Sequence, residues 1–148
     1  MRPGLIGGVA VSGCLLLTGC QSSVTSARLE RSIAATFTNL LVLQQDRIGR
    51  PPVFPDALQV QATCYRGSPS GLRTGAGEDW QCRVDYSTPG GPSSTRFDVQ
   101  AKTDGCYKAD GTVSDVGPAT LTSEATGAQV ANPLVEFDGC FDASLGAP

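Results

Sequence analysis

Residues at positions 29, 33, 37, 40, 41, 44 and 48 recur at three- and four-residue steps: Leu29, Ile33, Phe37, Leu40, Leu41, Gln44 and Ile48. All but Gln44 are apolar, while Arg28, Glu30, Arg31, Gln45 and Asp46 fall largely off that line. This period predicts an amphipathic helix over about 27–48. Ser26 stands where an N-cap is needed. Gly49, followed by Arg50-Pro51-Pro52, ends the helix. A helix lying on a membrane surface is usually richer in Lys and Arg than one whose basic residues are Arg28, Arg31 and Arg47. The expected role of its apolar face is therefore to pack on a sheet.

Farther along, the period changes to two. Leu58-Gln-Val-Gln-Ala-Thr-Cys64, Trp80-Gln-Cys-Arg-Val-Asp-Tyr86 and Phe97-Asp-Val-Gln-Ala101 alternate apolar and polar positions. Such alternation marks strands of an antiparallel sheet with one buried and one wet face. Cys64 and Cys82 fall on the apolar side, with Trp80 nearby as a core residue. Between the first two strands, Arg66 to Asp79 is a Gly- and Ser-rich loop, and Pro89-Gly90-Gly91-Pro92 is a turn. Beyond residue 104 the pattern weakens. Asp104-Gly105-Cys106-Tyr107 and Asp138-Gly139-Cys140-Phe141 repeat one motif, read as two matching turns. Leu134 to Phe137 is read as a last strand. Residues 110–132 are read as loop with one short strand near Ala119–Thr122. The fold class expected is α+β: one N-terminal amphipathic helix on a small antiparallel sheet of three to five strands, stapled by disulfides. The single domain spans 27–148.

The N-terminus carries a different kind of signal. Met1-Arg2-Pro3-Gly4 is a short basic start, followed by an apolar stretch from Leu5 to Leu17. A bilayer-spanning helix takes about 20 apolar residues, so this stretch fits the core of a signal peptide better. It closes on Leu17-Thr18-Gly19-Cys20, which resembles the lipobox of bacterial lipoproteins. The resemblance implies a diacylglyceryl group on the Cys20 thiol, cleavage by signal peptidase II before Cys20, and a lipid-anchored chain on the extracytoplasmic face of the cell membrane. Residues 1–19 would then be the leader and 20–26 a tether. A second partial match, Val11-Ser12-Gly13-Cys14, leaves an apolar core too short for a leader.

Cleavage removes Cys14, and lipid occupies Cys20. Cys64, Cys82, Cys106 and Cys140 remain. An even number in an exported domain reads as two disulfides, with three pairings open. Cys64–Cys82 and Cys106–Cys140 are favoured because each closes a self-contained segment. The spacings of 18, 24 and 34 residues contain no close pair of the kind zinc sites and thioredoxin-like motifs use, so no metal is assigned. One helix followed by strands with a cysteine on the first and second is similar to a class of small exported actinobacterial domains of unknown function. The likeness covers roughly 27–102 and implies a fold but no activity.

Composition narrows the chemistry further. Hydrophobic residues make up 40% and aromatics 6% of the 148 residues, which allows a core but a thin one. The chain has no histidine, so the commonest general base and metal ligand is absent. Residues 20–103 carry nine basic and seven acidic side chains, or +2; residues 104–148 carry one and seven, or −6. The sum of −4 argues against a nucleic-acid partner and leaves an envelope protein as the partner class expected beside the membrane lipid. Asp104, Asp110, Asp115, Glu136, Asp138 and Asp142 are the densest functional groups. They fit no EF-hand pattern, so no catalytic residue and no cofactor is assigned. The expected function is a membrane-anchored envelope lipoprotein acting as a non-enzymatic binding or structural module. The alternatives are an enzyme inhibitor working through the Arg66–Asp79 loop, or a small envelope hydrolase using a pair of carboxylates.

Overall fold

The computed structural model describes residues 24–141, so the leader, Cys20 and Asp142 lie outside the described residues. Helix α1 (Ser26–Arg47) forms where the periodicity places it. Its N-cap is Thr25 rather than Ser26: the Thr25 hydroxyl accepts from the Arg28 amide at 3.3 Å. Both residue types cap well. Thr25 takes the position because its extended backbone also forms an antiparallel bridge with Thr74. The fold therefore begins inside the segment read as a tether, with Val24 buried at 3% exposure. At the other end Gly49 has φ +76°, and the Gly49 and Arg50 amides bond to the carbonyls of Asp46 and Gln45. That is the left-handed glycine stop expected after the last apolar position.

The run from Leu58 to Cys64 divides in two. Pro55–Leu58 forms a single helical turn, α2, and strand β1 starts only at Gln61 (Gln61–Arg66). The sequence signal missed is Pro55 itself, whose fixed φ suits the first position of a helix. Strands β2 (Gly77–Thr88) and β3 (Gly91–Ala101) form a long hairpin over Pro89 and Gly90. Then follow β4 (Cys106–Gly111), the short helix α3 (Val113–Val116), β5 (Thr120–Thr122), β6 (Gln129–Ala131) and β7 (Glu136–Cys140). Strands β1-β2-β3-β4-β7 make one antiparallel sheet in that order, and β5-β6 a separate pair. The fold is α+β. Within 110–132, α3 and β6 stand where the sequence suggested loop. These three- and four-residue elements are too short for a period to show. The β5–β6 pair is held from outside instead: the Glu124 amide donates to the Ile48 carbonyl at 2.7 Å, and Arg50 pairs with Glu124 at 2.8 Å.

The two Asp-Gly-Cys-aromatic motifs have different conformations. Asp104-Gly105 is a turn, with Gly105 at φ +85°. Asp138-Gly139 lies inside β7, opposite Lys108 and Tyr107. A Cβ on Gly139 would sit 2.6 Å from the buried Tyr107 Oη. Glycine at 139 thus makes room for the ring across the strands.

Helix α1 covers one face of the sheet. Leu29, Ile33, Phe37 and Leu41 pack against Trp80, Val84, Phe97, Val99, Tyr107 and Phe137. The few aromatics are concentrated here: Phe37 lies 5.0 Å from Tyr86 and 5.9 Å from Phe97, which lies 5.1 Å from Phe137. Such pairs contribute beyond their area alone. Trp80 is fully buried and donates from Nε1 to the Gly75 carbonyl at 3.0 Å. Both disulfides join residues directly opposite in register, Cys64–Cys82 across β1–β2 and Cys106–Cys140 across β4–β7. They lie on opposite faces: the first is buried under α1, while Cys106 and Cys140 alternate away from the core-facing Tyr107 and Phe137.

Candidate functional site

The alternation that buries one sheet face exposes the other, and register fixes what stands beside what. Thr63, Arg83 and Arg96 lie side by side across β1, β2 and β3. Tyr65, Gln81 and Asp98 form the next row, which Asp110 and Glu136 continue across β4 and β7. Arg83 and Arg96 are thus direct cross-strand neighbours of like charge, an arrangement that opposes pairing. Each has a carboxylate to one side. Arg83 Nη2 reaches Asp85 at 2.8 Å, and Arg96 Nε lies 3.9 Å from Asp115 of α3. The Arg96 side chain remains 76% exposed and that of Arg83 58%.

Around this pair are two adjoining hollows of about 250 and 590 Å³ that share Tyr65, Arg83, Arg96 and Asp115. Gln81, Asp98, Thr112 and Ser114 line the smaller, and Thr63, Arg73 and Ser94 the larger. A further hollow of about 470 Å³ lies toward the C-terminal end of α1 between Leu41, Val53, Leu58 and Pro89, and is largely apolar.

The carboxylates singled out in the sequence do not gather into one centre. Asp110 and Glu136 are paired in register, and Lys108 Nζ reaches both, at 3.3 and 2.9 Å. Its hydrogen bond to Glu136, then that to Asp110, holds the Lys108 ammonium above the usual lysine range. Asp104 accepts from the Cys106 amide in its own turn. Asp115 stands by Arg96, and Asp138 lies across from Lys108. Among the described residues no group of three or more metal-capable side chains converges.

The loop expected over Arg66–Asp79 is shorter, because Arg66 ends β1 and Gly77 to Asp79 begin β2, and it is tied down at both ends. Arg66 clamps Asp79 at 2.8 Å and holds its carboxyl below the usual carboxylate range. The Ser26 amide donates to the Arg73 carbonyl, and the Gly75 amide to that of Val24. Glu30 and Arg73 occupy the backbone of Cys64 on edge strand β1, Glu30 accepting from its amide at 2.9 Å and Arg73 donating to its carbonyl at 3.1 Å. Closing an edge this way blocks further strand pairing there.

Sequence reading did not single out Arg83 and Arg96. Each is flanked by core residues, Cys82 and Val84 or Thr95 and Phe97, so its outward direction was legible. Their adjacency was not, because it depends on the β2–β3 register. The chain matches no family model, no curated protein and no solved structure.

Proposed function

We infer that the protein is a bacterial lipoprotein, held by a lipid on Cys20 at the extracytoplasmic face of the cell membrane, whose α+β domain is a non-enzymatic binding module. The observation that carries this reading is the state of the cysteines. Cys64–Cys82 and Cys106–Cys140 are bonded pairs, so neither bridge calls on Cys20, whose Leu-Thr-Gly-Cys setting supports lipid attachment. Disulfides persist in oxidising compartments outside the cytoplasm, so an exported address agrees with both. Among the described residues no helix is long and apolar enough to cross a membrane, and the reading asks for none.

Val24 is buried four residues after Cys20. An extended chain spans at most about 14 Å over that length, so the anchor would hold the start of α1 close to the bilayer. An inhibitor working through residues 67–75 would have to act at that surface, because Gly75 and Arg73 bond to Val24 and Ser26.

Intact mass of the protein purified from its host's membranes tests the reading. The expected chain begins at Cys20, carries a diacylglyceryl adduct and is four hydrogens lighter than its reduced form. Cys20→Ala should accumulate as an unlipidated precursor. A wild-type chain without lipid overturns the anchor.

A further inference from the structure

We propose that the Arg83–Arg96 pair is a site for a phosphoryl group carried on a polyol or sugar. The proposal rests on the binding-module reading but not on the lipid anchor. Its starting point is the register: two guanidinium-bearing side chains stand directly opposite each other on an exposed face, where like charges weaken the sheet. Breaches of local preference collect at functional sites.

The stoichiometry of donors selects the anion. One guanidinium fork satisfies the two oxygens of a carboxylate. Two forks side by side suit a group with three acceptor oxygens and a charge approaching −2, which is a phosphate monoester. Asp85 holds Arg83 through both Nε and Nη2, at 3.1 and 2.8 Å, so that guanidinium engages a ligand in full only by releasing Asp85. The 3.9 Å separation of Arg96 from Asp115, by contrast, leaves the Arg96 guanidinium able to turn to it.

The hollows are larger than phosphate needs. At about 590 Å³ the larger has the scale of a small-molecule site, and the smaller, of about 250 Å³, adjoins it. Beyond the arginines, the groups in reach are hydroxyl-binding ones, Gln81, Asp98 and Ser114, with the Tyr65 side chain at the common boundary. Carboxylates and amides take hydroxyls well and a second anion poorly. The occupant is therefore anionic at one end and hydroxyl-rich at the other.

Calorimetric titration of the protein, purified from whole host cells solubilised in detergent, tests this with glucose 6-phosphate as probe. Wild type should bind it saturably, and both unphosphorylated glucose and inorganic phosphate more weakly. Arg83→Thr and Arg96→Thr should each weaken binding at least about tenfold, the loss expected for one charge-assisted hydrogen bond. Arg50→Thr, near the C-terminal end of α1, should leave it unchanged. Without ligand, Arg96→Thr should melt no lower than wild type, since it relieves a like-charge contact. Absence of saturable binding overturns the proposal, as does unaltered binding in both arginine variants. A large melting loss in both would show that the arginines serve the sheet instead, and inorganic phosphate binding as tightly as the sugar phosphate would remove the polyol. A short-chain phosphatidylinositol 4-phosphate, which carries a phosphate monoester on its inositol ring, that displaces the probe where short-chain phosphatidylcholine does not, identifies a lipid headgroup as the source; displacement by neither identifies a free sugar phosphate. The lipid adduct is weighed on the same preparations, so failure of the anchor and failure of the site are separately visible.

Discussion

Asn132→Ala should be the most damaging single polar substitution in the domain. Asn132 is 6% exposed and joins three segments that share no regular structure. Its Oδ1 accepts from Gln44 Nε2 of α1 at 2.8 Å and from the Leu134 amide at 3.1 Å. Its Nδ2 donates to the carbonyls of Val116 and Pro118 at 2.9 and 3.0 Å. Alanine leaves two donors and two acceptors without partners. The Gln44 and Leu134 donors are stranded away from water at about 1–3 kcal/mol each, whereas the Val116 and Pro118 carbonyls are only part-buried, so the expected loss is about 3 kcal/mol, a large part of the 5–15 kcal/mol typical of a domain. Urea unfolding followed through the single tryptophan, Trp80, gives the value. Asn132→Asp sharpens the test because it keeps both acceptors but points a carboxylate at two carbonyls. Burial and those carbonyls raise its pKa in the folded state. The Asp variant should therefore be at its least stable near neutral pH and should recover as pH falls through the raised value. Gln44→Leu in the Asn132→Ala background should recover about 1 kcal/mol, because the stranded amide is removed. A loss below about 1 kcal/mol for Asn132→Ala, or an Asn132→Asp variant indifferent to pH, would show that water replaces these bonds and would refute the reasoning.

Three further outcomes follow from the same geometry. By loop entropy, closures of 18 and 34 residues contribute about 3.2 and 3.8 kcal/mol. Removing both cysteines of the buried Cys64–Cys82 bridge as alanines should nevertheless cost more than removing Cys106–Cys140, because it also opens a cavity under α1. Equal Tm losses would contradict this, and with increasing dithiothreitol the bridge on the wet face should reduce first in mass-resolved alkylation. Thr95 is buried, and its hydroxyl has no partner; Thr95→Val should leave Tm unchanged or raise it, and a drop would reveal a bond to that hydroxyl. Because the folded pKa of Asp79 lies below its ordinary 3.8, its clamp with Arg66 contributes fully above that value and is lost as pH falls through the lowered one. Protection of the Gly67 amide, which donates to the Asp79 carbonyl, measured as its exchange rate relative to an unstructured chain at the same pH, should fall below about pH 4, and Asp79→Asn should abolish that acid step.

The primary sequence determined the parts that repeat locally. The helical period over α1, the Gly49-Pro51 stop, the three alternating strands and the burial of Trp80 all follow from the direction in which each side chain must point. The cysteine pairing was also legible, since each bridge closes its own segment. Local pattern misses elements shorter than one period, so α2, α3 and β6 went unread, and Asp138-Gly139 was taken for a turn because its partner strand lies about 30 residues away in the chain. Only the tertiary structure decided which residues on the wet face became neighbours. A strand fixes which way Arg83 and Arg96 point, but register across the Pro89-Gly90 hairpin sets them side by side, and a shift of one residue would turn one of them into the core.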